Sequence, residues 1–368
     1  MRIVHVVNDA KFAGMAAKAF EATFPGCNTY VSFSKNKCRK DKIEIVRYSR
    51  VLVFFGFIIK NILKADVVVF HSMGEKHLLL LRWVPVDAKV IWIGWGYDYY
   101  DLIGRRLLKD ETLKADNQFK MSSGFRSSVF GLILRFLKNK KLKWIRRVNI
   151  FSPVIREDFD LVKRFNPKFA AKYSSWNYGT LEDDHVRGFE GKDIKGNNIL
   201  LGNSASDTNN HLDAFSLIKN LDLKDRKVIT PLSYGDDNYR DLIITEGQKA
   251  LGSVFEPLTE FMPIDDYISV LQSCSVVVMN HLRQQALGNI VIALYMGAKV
   301  FLDEHNPVYE FFTKQGAFIF KLDQLEQEYL SKLSGEQVAH NREVLKNYWS
   351  RDVILNKTKK LVEQALSS

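Results

Sequence analysis

Six hydrogen-bonding side chains are concentrated in one short loop late in the chain. The loop follows an apolar run at 276–279 and leads into a helix predicted to start near Gly288. Its polar members are Asn280, His281, Arg283, Gln284, Gln285 and Asn289. A permanently charged guanidinium beside amide side chains, next to the free N–H groups of a helix N-terminus, suits a phosphate or a diphosphate. The alternative is a solvated turn that only caps the helix.

The segments on either side of this loop predict the scaffold that positions it. Short β-branched apolar runs at 276–279 and 298–302 each lead into a helix start. This βαβα order is typical of a parallel sheet covered by helices. Ligands of such sheets bind at the carboxyl edge of the strands. We therefore expect further ligand-binding loops at the same edge.

Two more loops are predicted to reach that edge, after strands at 199–201 and 227–230. Their candidate residues are Gly202, Asn203 and Ser204 in the first loop, and Ser233, Tyr234 and Gly235 in the second. The first loop offers amides and a hydroxyl for a phosphate or a sugar, and the second an aromatic ring that could stack on a base. A helix cap and an ordinary turn are the alternatives. Three further candidates for the same ligand are Asn209, His211 and Asn306.

Length and composition indicate two folded domains. The chain has 368 residues, of which 46% are hydrophobic and 26% charged. We predict an N-terminal domain at 1–180, a linker at 181–198, a second domain at 199–345 and a C-terminal helix at 346–368 that packs back on the first domain. In the first domain, strands predicted at 3–7, 29–33, 43–46, 66–70 and 89–93 alternate with helices. This alternation predicts a doubly wound α/β sheet.

The cysteines and the apolar runs indicate a cytoplasmic protein. The three cysteines have no metal-ligand spacing, which favours reduced thiols. The chain opens on a predicted strand rather than on a signal peptide. Its longest apolar run, 51–59, is too short to cross a bilayer.

The net positive charge favours an acidic binding partner. The formal charge is +11, and basic residues gather around Trp144 in an amphipathic segment at 125–147. Such a segment favours the headgroup layer of an anionic membrane, although a core helix with a solvated basic end has the same pattern. We expect no nucleic-acid partner, because no zinc-finger spacing or RNA-recognition strand is present.

The motifs that are present and those that are missing limit the reactions this chain could catalyse. Two similar α/β domains with a polar cleft between them occur in glycosyltransferases, and also in phosphorylases and some epimerases. The first strand leads into Asn8 and Asp9 without a dinucleotide glycine fingerprint, and no Walker loop is present. The Asp158-x-Asp160 pair lies inside a predicted helix and is interpreted as surface charge. We therefore expect nucleotide-sugar transfer without a metal or cofactor, with Arg283 and a helix N-terminus neutralising the departing diphosphate.

Glycosyl transfer also needs a group that helps the acceptor hydroxyl to lose its proton. Asp98 is the first candidate, because it follows a predicted strand through Gly94, Trp95 and Gly96. Asp9 and His71, each at the end of another strand, are the second and third. Each of the three can instead cap a helix or be a satisfied buried polar group.

Three segments together resemble a known family. They are 91–102 (IWIGWGYDYYDL), 199–216 (ILLGNSASDTNNHLDAFS) and 282–306, which contains Arg-Gln-Gln and ends in EHN before a proline. They are similar to the 4-acetamido-4,6-dideoxygalactose (N-acetylfucosamine) transferases of enterobacterial common antigen synthesis. The resemblance implies a GT-B fold, with two Rossmann-like doubly wound domains facing a central cleft.

The same resemblance implies a substrate pair and a location. The donor would be a dTDP-linked amino sugar bound mainly by the C-terminal domain. The acceptor would be a lipid-pyrophosphate-linked saccharide bound by the N-terminal domain, at the cytoplasmic face of the bacterial inner membrane. A non-catalytic nucleotide-sugar or lipid-glycan binding protein of the same fold is the alternative.

Overall fold

The computed structural model describes residues 1–7, 10–32, 51–122, 141–326 and 330–368. The chain divides into two compact units. Unit 1 contains Met1–Gly104, Arg126–Asp184 and Tyr348–Ser368, and unit 2 contains Arg105–Phe125 and His185–Asn347. The strand predicted at 43–46 and residues 125–140 of the basic segment lie outside the described residues.

Unit 1 is built on a parallel six-stranded sheet in the order β2-β1-β3-β4-β5-β6. Its strands are β1 (Ile3–Val7), β2 (Asn28–Ser32), β3 (Val67–His71), β4 (Lys89–Ile93), β5 (Ile150–Ser152) and β6 (Lys172–Tyr173). Its helices are α1 (Ala10–Thr23), α2 (Val51–Ile62), α3 (Glu75–Leu81), α5 (Arg156–Phe165) and α12 (Arg351–Leu366). Every residue of β1 and β3 is buried, as expected of strands covered by helices on both faces.

The last helix belongs to unit 1 although it ends the chain. The Trp176 indole donates to the Thr358 hydroxyl at 2.8 Å in the interior, and Lys89 donates to the Ser368 carbonyl. Ile354, Leu361, Val362 and Ala365 of α12 are buried. The chain end therefore completes the hydrophobic core of unit 1.

Unit 2 repeats the architecture with the sheet order β12-β11-β10-β7-β8-β9, again parallel. Its strands are β7 (Asn198–Leu201), β8 (Val228–Pro231), β9 (Phe255–Leu258), β10 (Cys274–Met279), β11 (Lys299–Leu302) and β12 (Phe320–Lys321). Its helices are α4 (Asp110–Ser122), α6 (His211–Ile218), α7 (Asp237–Leu251), α8 (Ile264–Gln272), α9 (Leu287–Met296), α10 (Pro307–Lys314) and α11 (Gly335–Trp349). Two parallel doubly wound sheets confirm the predicted fold class.

One segment lies in the opposite unit from the one that the domain boundaries predicted. Residues 105–122 fall inside the predicted N-terminal domain, but they pack in unit 2. The Asp213 carboxylate accepts from the N–H groups of Glu111 and Thr112, both at 3.0 Å, and so binds the start of α4 to α6. Lys109 forms an ion pair with Asp303 at 2.5 Å. These partners are distant in sequence, which is why spacing alone did not predict them.

The prediction that Asp158 and Asp160 are both surface charges is wrong for Asp158. The helix α5 does contain the Asp-x-Asp pair, and Asp160 is at the surface, paired with Arg156. Asp158 is instead fully buried and accepts from the hydroxyls of Tyr99 and Tyr100. The two tyrosine hydroxyls supply the hydrogen bonds that a buried carboxylate needs.

Among the described residues, no helix combines the length and the apolar character that a bilayer crossing requires.

Candidate active site

A continuous hydrogen-bond network joins three loops at the carboxyl edge of the unit 2 sheet. Asn203 Nδ2 donates to the Tyr234 hydroxyl at 2.7 Å, and Gln285 Nε2 donates to Asn203 Oδ1 at 3.0 Å. The Thr208 hydroxyl donates to Gln285 Oε1 at 2.8 Å, and Arg283 Nη2 lies 3.4 Å from that hydroxyl. We call these five residues, Asn203, Thr208, Tyr234, Arg283 and Gln285, the polar rim. Sequence reasoning predicted four of them as donor contacts, and the structure brings those four together.

Beneath the rim, Asn209 and His281 organise the loops rather than face solvent. Asn209 Oδ1 accepts from the Asn203 N–H at 3.0 Å and from His281 Nε2 at 2.8 Å, and its amide nitrogen donates to Ser204. Because the Asn203 N–H fixes Oδ1 as an acceptor, His281 Nε2 carries the proton. Burial, with the nearby Arg283 charge, holds the pKa of His281 well below its usual range, so the ring is neutral. His281 Nδ1 is then a buried acceptor with no partner among the residues that the structure describes.

Other predicted donor residues also have structural roles. His211 is buried, with Nδ1 3.2 Å from the Tyr239 hydroxyl. Asn306 is the N-cap of α10: its side chain accepts from the Val308 N–H at 2.9 Å and donates to the His281 carbonyl at 3.0 Å. Gln284 is buried, and Ser233 is half-buried in the loop after β8. These residues therefore fix the conformation of the loops that carry the polar rim.

Two glycines of the predicted site are required by close packing. A Cβ on Gly202, where φ is +68°, would lie 2.7 Å from His211 Nε2. A Cβ on Gly235, where φ is +129°, would lie 2.2 Å from the Ala205 carbonyl oxygen. The Gly235 contact arises because the loops after β7 and β8 pair through Ala205 and Gly235. Both positions therefore need glycine for the fold itself.

The start of α9 differs from these packed glycine positions. Space is open around Gly288, and no acidic residue in the first turn offsets the helix dipole. Its N-cap is Ala286 in the left-handed region at φ +57°, without a side-chain cap, and its first turn has no acidic residue. The nearest atom to a Cβ built on Gly288 is His185 Cε1, at 4.0 Å. Asn289 donates to the Tyr267 hydroxyl at 3.1 Å. A non-glycine residue held at positive φ where the helix dipole is unopposed is characteristic of a ligand-binding turn.

Asp98 in unit 1 is completely engaged by the protein. Oδ2 accepts from the Met73 N–H and the Trp92 indole, each at 2.7 Å, and Oδ1 accepts from the Trp95 N–H at 2.7 Å. Burial raises the pKa of the carboxyl, opposed by these hydrogen bonds and by the Lys141 charge. A general base needs an oxygen turned toward the substrate. The geometry favours Asp98 as the residue that organises the loop after β4.

His71 is buried between His5 and Tyr178. Its Nε2 is 3.0 Å from His5 Nδ1, and its Nδ1 is 2.6 Å from the Tyr178 hydroxyl. Burial holds the pKa of His71 well below its usual range, so an added proton would be a buried, uncompensated charge. This disfavours His71 as the base. Asp9, the remaining candidate, lies outside the described residues and stays a prediction.

Sequence reasoning did not identify three residues at the carboxyl edges of the two sheets. Thr208 lies in the quoted segment SASDT, whose hydroxyl-rich pattern could have indicated it. Tyr267 is in α8 and Tyr178 follows β6, and neither has a local sequence signal. Only the fold brings them to their loops.

Chemically, the unit 2 edge offers a guanidinium, amide and hydroxyl groups and an uncapped helix N-terminus beside an exposed tyrosine ring. Such a set can hold a diphosphate by charge and dipole, with a base or sugar held by the amides and the ring. The unit 1 edge contains hydrogen-bonded aromatic residues instead.

Comparison with known proteins agrees with this description. The sequence model of a family described as 4-alpha-L-fucosyltransferase, glycosyl transferase group 56, matches residues 115–356. This match confirms the family that the sequence motifs predicted.

Solved structures with the same fold align over nearly their whole length. One is an α,α-trehalose 6-phosphate synthase from Burkholderia multivorans, with a TM-score of 0.63 and 10% identity, covering 100% of this chain and 98% of that one. Another is the Anabaena protein HepE in complex with UDP and glucose, with a TM-score of 0.61 and 10% identity over 100% of both chains. A third is a Burkholderia xenovorans α,α-trehalose-phosphate synthase in complex with glucose-6-phosphate, with a TM-score of 0.62, 9% identity and 100% of both chains covered. At this identity the likeness establishes the fold alone.

Proposed function

The chain belongs to the 4-alpha-L-fucosyltransferase family, glycosyl transferase group 56, and we propose that it transfers a 4-amino-6-deoxy sugar from a dTDP-linked donor to a lipid-pyrophosphate-linked saccharide. It is a nucleotide-sugar glycosyltransferase. The sugar, the nucleotide and the acceptor are the proposed part. They come from the motifs at 91–102, 199–216 and 282–306, and they imply a role in bacterial surface polysaccharide synthesis.

The observation that carries the donor proposal is the N-terminus of α9, which has no side-chain cap and follows Arg283 by three residues in the same loop. As the sugar–phosphate bond breaks, negative charge accumulates on the leaving diphosphate. The free N–H groups of Leu287 and Gly288 and the Arg283 guanidinium stabilise that charge without moving. Gln285 and Thr208, which bridge the rim, orient the guanidinium and hold its loop. We propose that this charge compensation replaces a metal ion, so turnover in excess EDTA should equal turnover with Mg²⁺.

For the base we retain Asp9. It follows β1 in the sequence, and β1 is the neighbour of β3 in the unit 1 sheet. Asp9→Asn should slow turnover about a hundredfold or more and leave dTDP binding intact. Unchanged turnover in this variant would remove Asp9 from the mechanism.

The test of the activity is release of dTDP from a dTDP-4-acetamido-4,6-dideoxygalactose donor in the presence of a lipid-pyrophosphate disaccharide. We expect dTDP to appear with acceptor and to be nearly absent without it. A protein that binds both compounds and never releases dTDP would be the non-catalytic alternative. A protein that prefers a UDP-linked donor would correct the nucleotide.

We also propose that unit 1 rests on the cytoplasmic face of the inner membrane, which agrees with the net charge of +11. Large apolar side chains are exposed in the 83–86 turn and in the basic segment: Val86 at 86%, Trp83 at 48% and Leu142 at 46%. The Arg147 guanidinium donates to the Pro85 carbonyl at 2.6 Å and so joins the 83–86 turn to the basic segment. Lys143 and Arg146 are exposed on that segment. Exposed Trp and Val beside basic side chains suit an anionic interface.

The described part of the basic segment changes which residues can bind lipid. Lys141 is buried, donates to the Asp98 carbonyl and pairs with Asp101 at 2.8 Å, so it supports the fold instead. Sedimentation with liposomes should therefore respond to Trp83→Ala with Val86→Asp, and require anionic lipid. Phe261→Asp in unit 2, equally exposed at 86%, is the matched control and should leave binding unchanged. Equal loss in both variants would contradict the proposed surface.

A further inference from the structure

A one-way chain of hydrogen bonds crosses unit 1 from Asn28 to Trp95. The Asn28 amide nitrogen donates to the carbonyls of Phe20 and Phe24, so its oxygen accepts from His5 Nε2, at 3.1 Å. His5 Nδ1 is then an acceptor for His71 Nε2, at 3.0 Å, and His71 Nδ1 accepts from the Tyr178 hydroxyl, at 2.6 Å. The Tyr178 oxygen in turn accepts from the Trp95 indole, at 2.9 Å.

This chain positions Tyr178 and does not store a proton. Burial lowers the pKa of His5 to about 3 and holds the pKa of His71 well below its usual range. Both rings are therefore neutral near pH 7, which fixes the tautomers given above. What the chain supplies is a fixed orientation for the Tyr178 and Trp95 rings.

Four aromatic rings meet at the end of this chain. The ring centroids of Phe12 lie 4.7 Å from Trp95 and 5.0 Å from Tyr178, and Trp95 lies 6.2 Å from Tyr97. We call Phe12, Trp95, Tyr97 and Tyr178 the aromatic cluster. Phe12 lies in the first turn of α1 after β1, Trp95 and Tyr97 follow β4, and Tyr178 follows β6, so all four lie at the carboxyl edge of the sheet.

The cluster is partly exposed, although aromatic rings of this size are usually core. Tyr97 is 56% exposed, and Phe12, Trp95 and Tyr178 are half-buried. Polar groups lie at the edges of the rings. The Trp95 indole N–H donates a hydrogen bond to the Tyr178 hydroxyl, and the Tyr97 hydroxyl donates to Ser72 at 3.1 Å. Their side chains carry no formal charge. Apolar faces with polar edges match a pyranose, which has C–H groups on its faces and hydroxyls around its rim.

The loop that presents Trp95 and Tyr97 is held rigidly. Asp98 bonds the N–H groups of Trp95 and Met73, and so joins the loops after β4 and β3. A Cβ on Gly94 would lie 2.6 Å from the Tyr99 ring, and Gly96 has a φ of +105°. A rigid, partly exposed aromatic surface loses little conformational entropy when a ligand binds.

We infer that the aromatic cluster is a saccharide subsite of unit 1, in which Tyr97 and Trp95 stack on a sugar of the acceptor. Asp98 and His71 are positioning residues for it. The inference rests on the proposed glycosyl transfer and specifies the acceptor chemistry as a neutral pyranose face rather than the lipid chain.

The test is saturation-transfer NMR with a soluble N-acetylhexosamine disaccharide, di-N-acetylchitobiose, on the full chain. We expect transfer from aromatic protons of the wild type to the sugar C–H groups. Tyr97→Ala should weaken saccharide binding by about tenfold, and Tyr97→Phe, which keeps the ring face, by less than about twofold. Phe165→Ala, at another exposed aromatic ring of unit 1, should have no effect.

The same samples are titrated with dTDP, which separates this inference from the proposed donor site. Tyr97→Ala should bind dTDP as the wild type does. No saccharide signal in the wild type, or equal saccharide binding in Tyr97→Ala, would overturn the subsite. A wild type that binds the saccharide but not dTDP would contradict the donor proposal and support the subsite.

Discussion

Asp98 lies at a strand end, where either a general base or a residue that holds the loop could stand. Its hydrogen bonds distinguish the two roles. The motif Gly-Trp-Gly-Tyr-Asp predicts a functional loop but does not reveal that the carboxylate turns back into that loop. Three N–H donors at 2.7 Å decide the question, and two of them, from Met73 and Trp92, lie outside the loop itself. The structure therefore moves Asp98 from the reacting atoms to the scaffold of the aromatic cluster.

Asp98→Asn tests this reassignment. A carboxamide has one acceptor oxygen and one NH₂ group, so at least one of the three N–H donors loses its partner. We expect the loop to loosen, with the KM for the saccharide acceptor raised about tenfold or more and turnover at saturating acceptor within about threefold of wild type. Full progress curves at several acceptor concentrations separate the two effects. If turnover at saturating acceptor instead falls about a hundredfold or more while KM is unchanged, Asp98 is restored as the base.

At the scale of elements, the sequence predicted most of the unit 2 edge and missed its connections. Short β-branched runs end in polar loops, so the strand ends near 201, 231, 279 and 302 could be placed from pattern alone. The pattern therefore places Asn203, Tyr234, Arg283 and Gln285 at this edge, and the structure joins them in the polar rim. The rim member Thr208 was not, because its partners Gln285 and Arg283 lie more than seventy residues away.

The start of α9 permits a variant that separates folding from binding. Gly288→Ala introduces a Cβ whose nearest neighbour is 4.0 Å away, so it should not clash. It should raise helix stability by about 0.5–1 kcal/mol and weaken dTDP binding, because the methyl group occupies the approach to the helix amides. Gly14→Ala in α1, also with open space around it, is the matched control and should change stability alone. Thermal unfolding and dTDP titration of both variants provide the measurements.

The placement of α4 in unit 2 depends on its cap. Asp213→Ala removes three hydrogen bonds, to the Glu111 N–H and to the N–H and hydroxyl of Thr112. We expect a loss of about 1–2 kcal/mol in the free energy of unfolding, typical of an N-terminal cap. Asp160→Ala, which breaks only an exposed pair with Arg156, should cost less than about 0.5 kcal/mol. Equal effects in urea unfolding would show that Asp213 does not hold the segment.

Across the whole molecule, buried neutral histidines predict a characteristic response to acid. Burial lowers the pKa of His5, His77 and His211 from 6.5 to about 3. Between these values the unfolded chain binds protons that the native protein does not, so stability falls as pH drops below 6.5 and is unaffected above it. At pH 5.5 each histidine should cost about 1.4 kcal/mol relative to pH 7.5.

Urea unfolding at pH 7.5 and pH 5.5 measures this loss. His77→Leu, which removes one of the buried rings, should reduce it by one histidine's share. A stability that is equal at the two pH values would contradict the neutral, buried state on which the Tyr178 chain depends.

The central claim is that unit 2 binds the diphosphate of a nucleotide sugar at the start of α9 beside Arg283. Isothermal titration of dTDP into the wild type, Arg283→Gln and Arg240→Gln tests it most directly, since Arg240 is a surface arginine of α7 paired with Asp237. We predict that Arg283→Gln weakens dTDP binding at least about tenfold, that Arg240→Gln stays within about twofold, and that thymidine binds far more weakly than dTDP. Equal affinity of Arg283→Gln and the wild type, or equal affinity for thymidine and dTDP, would contradict the account.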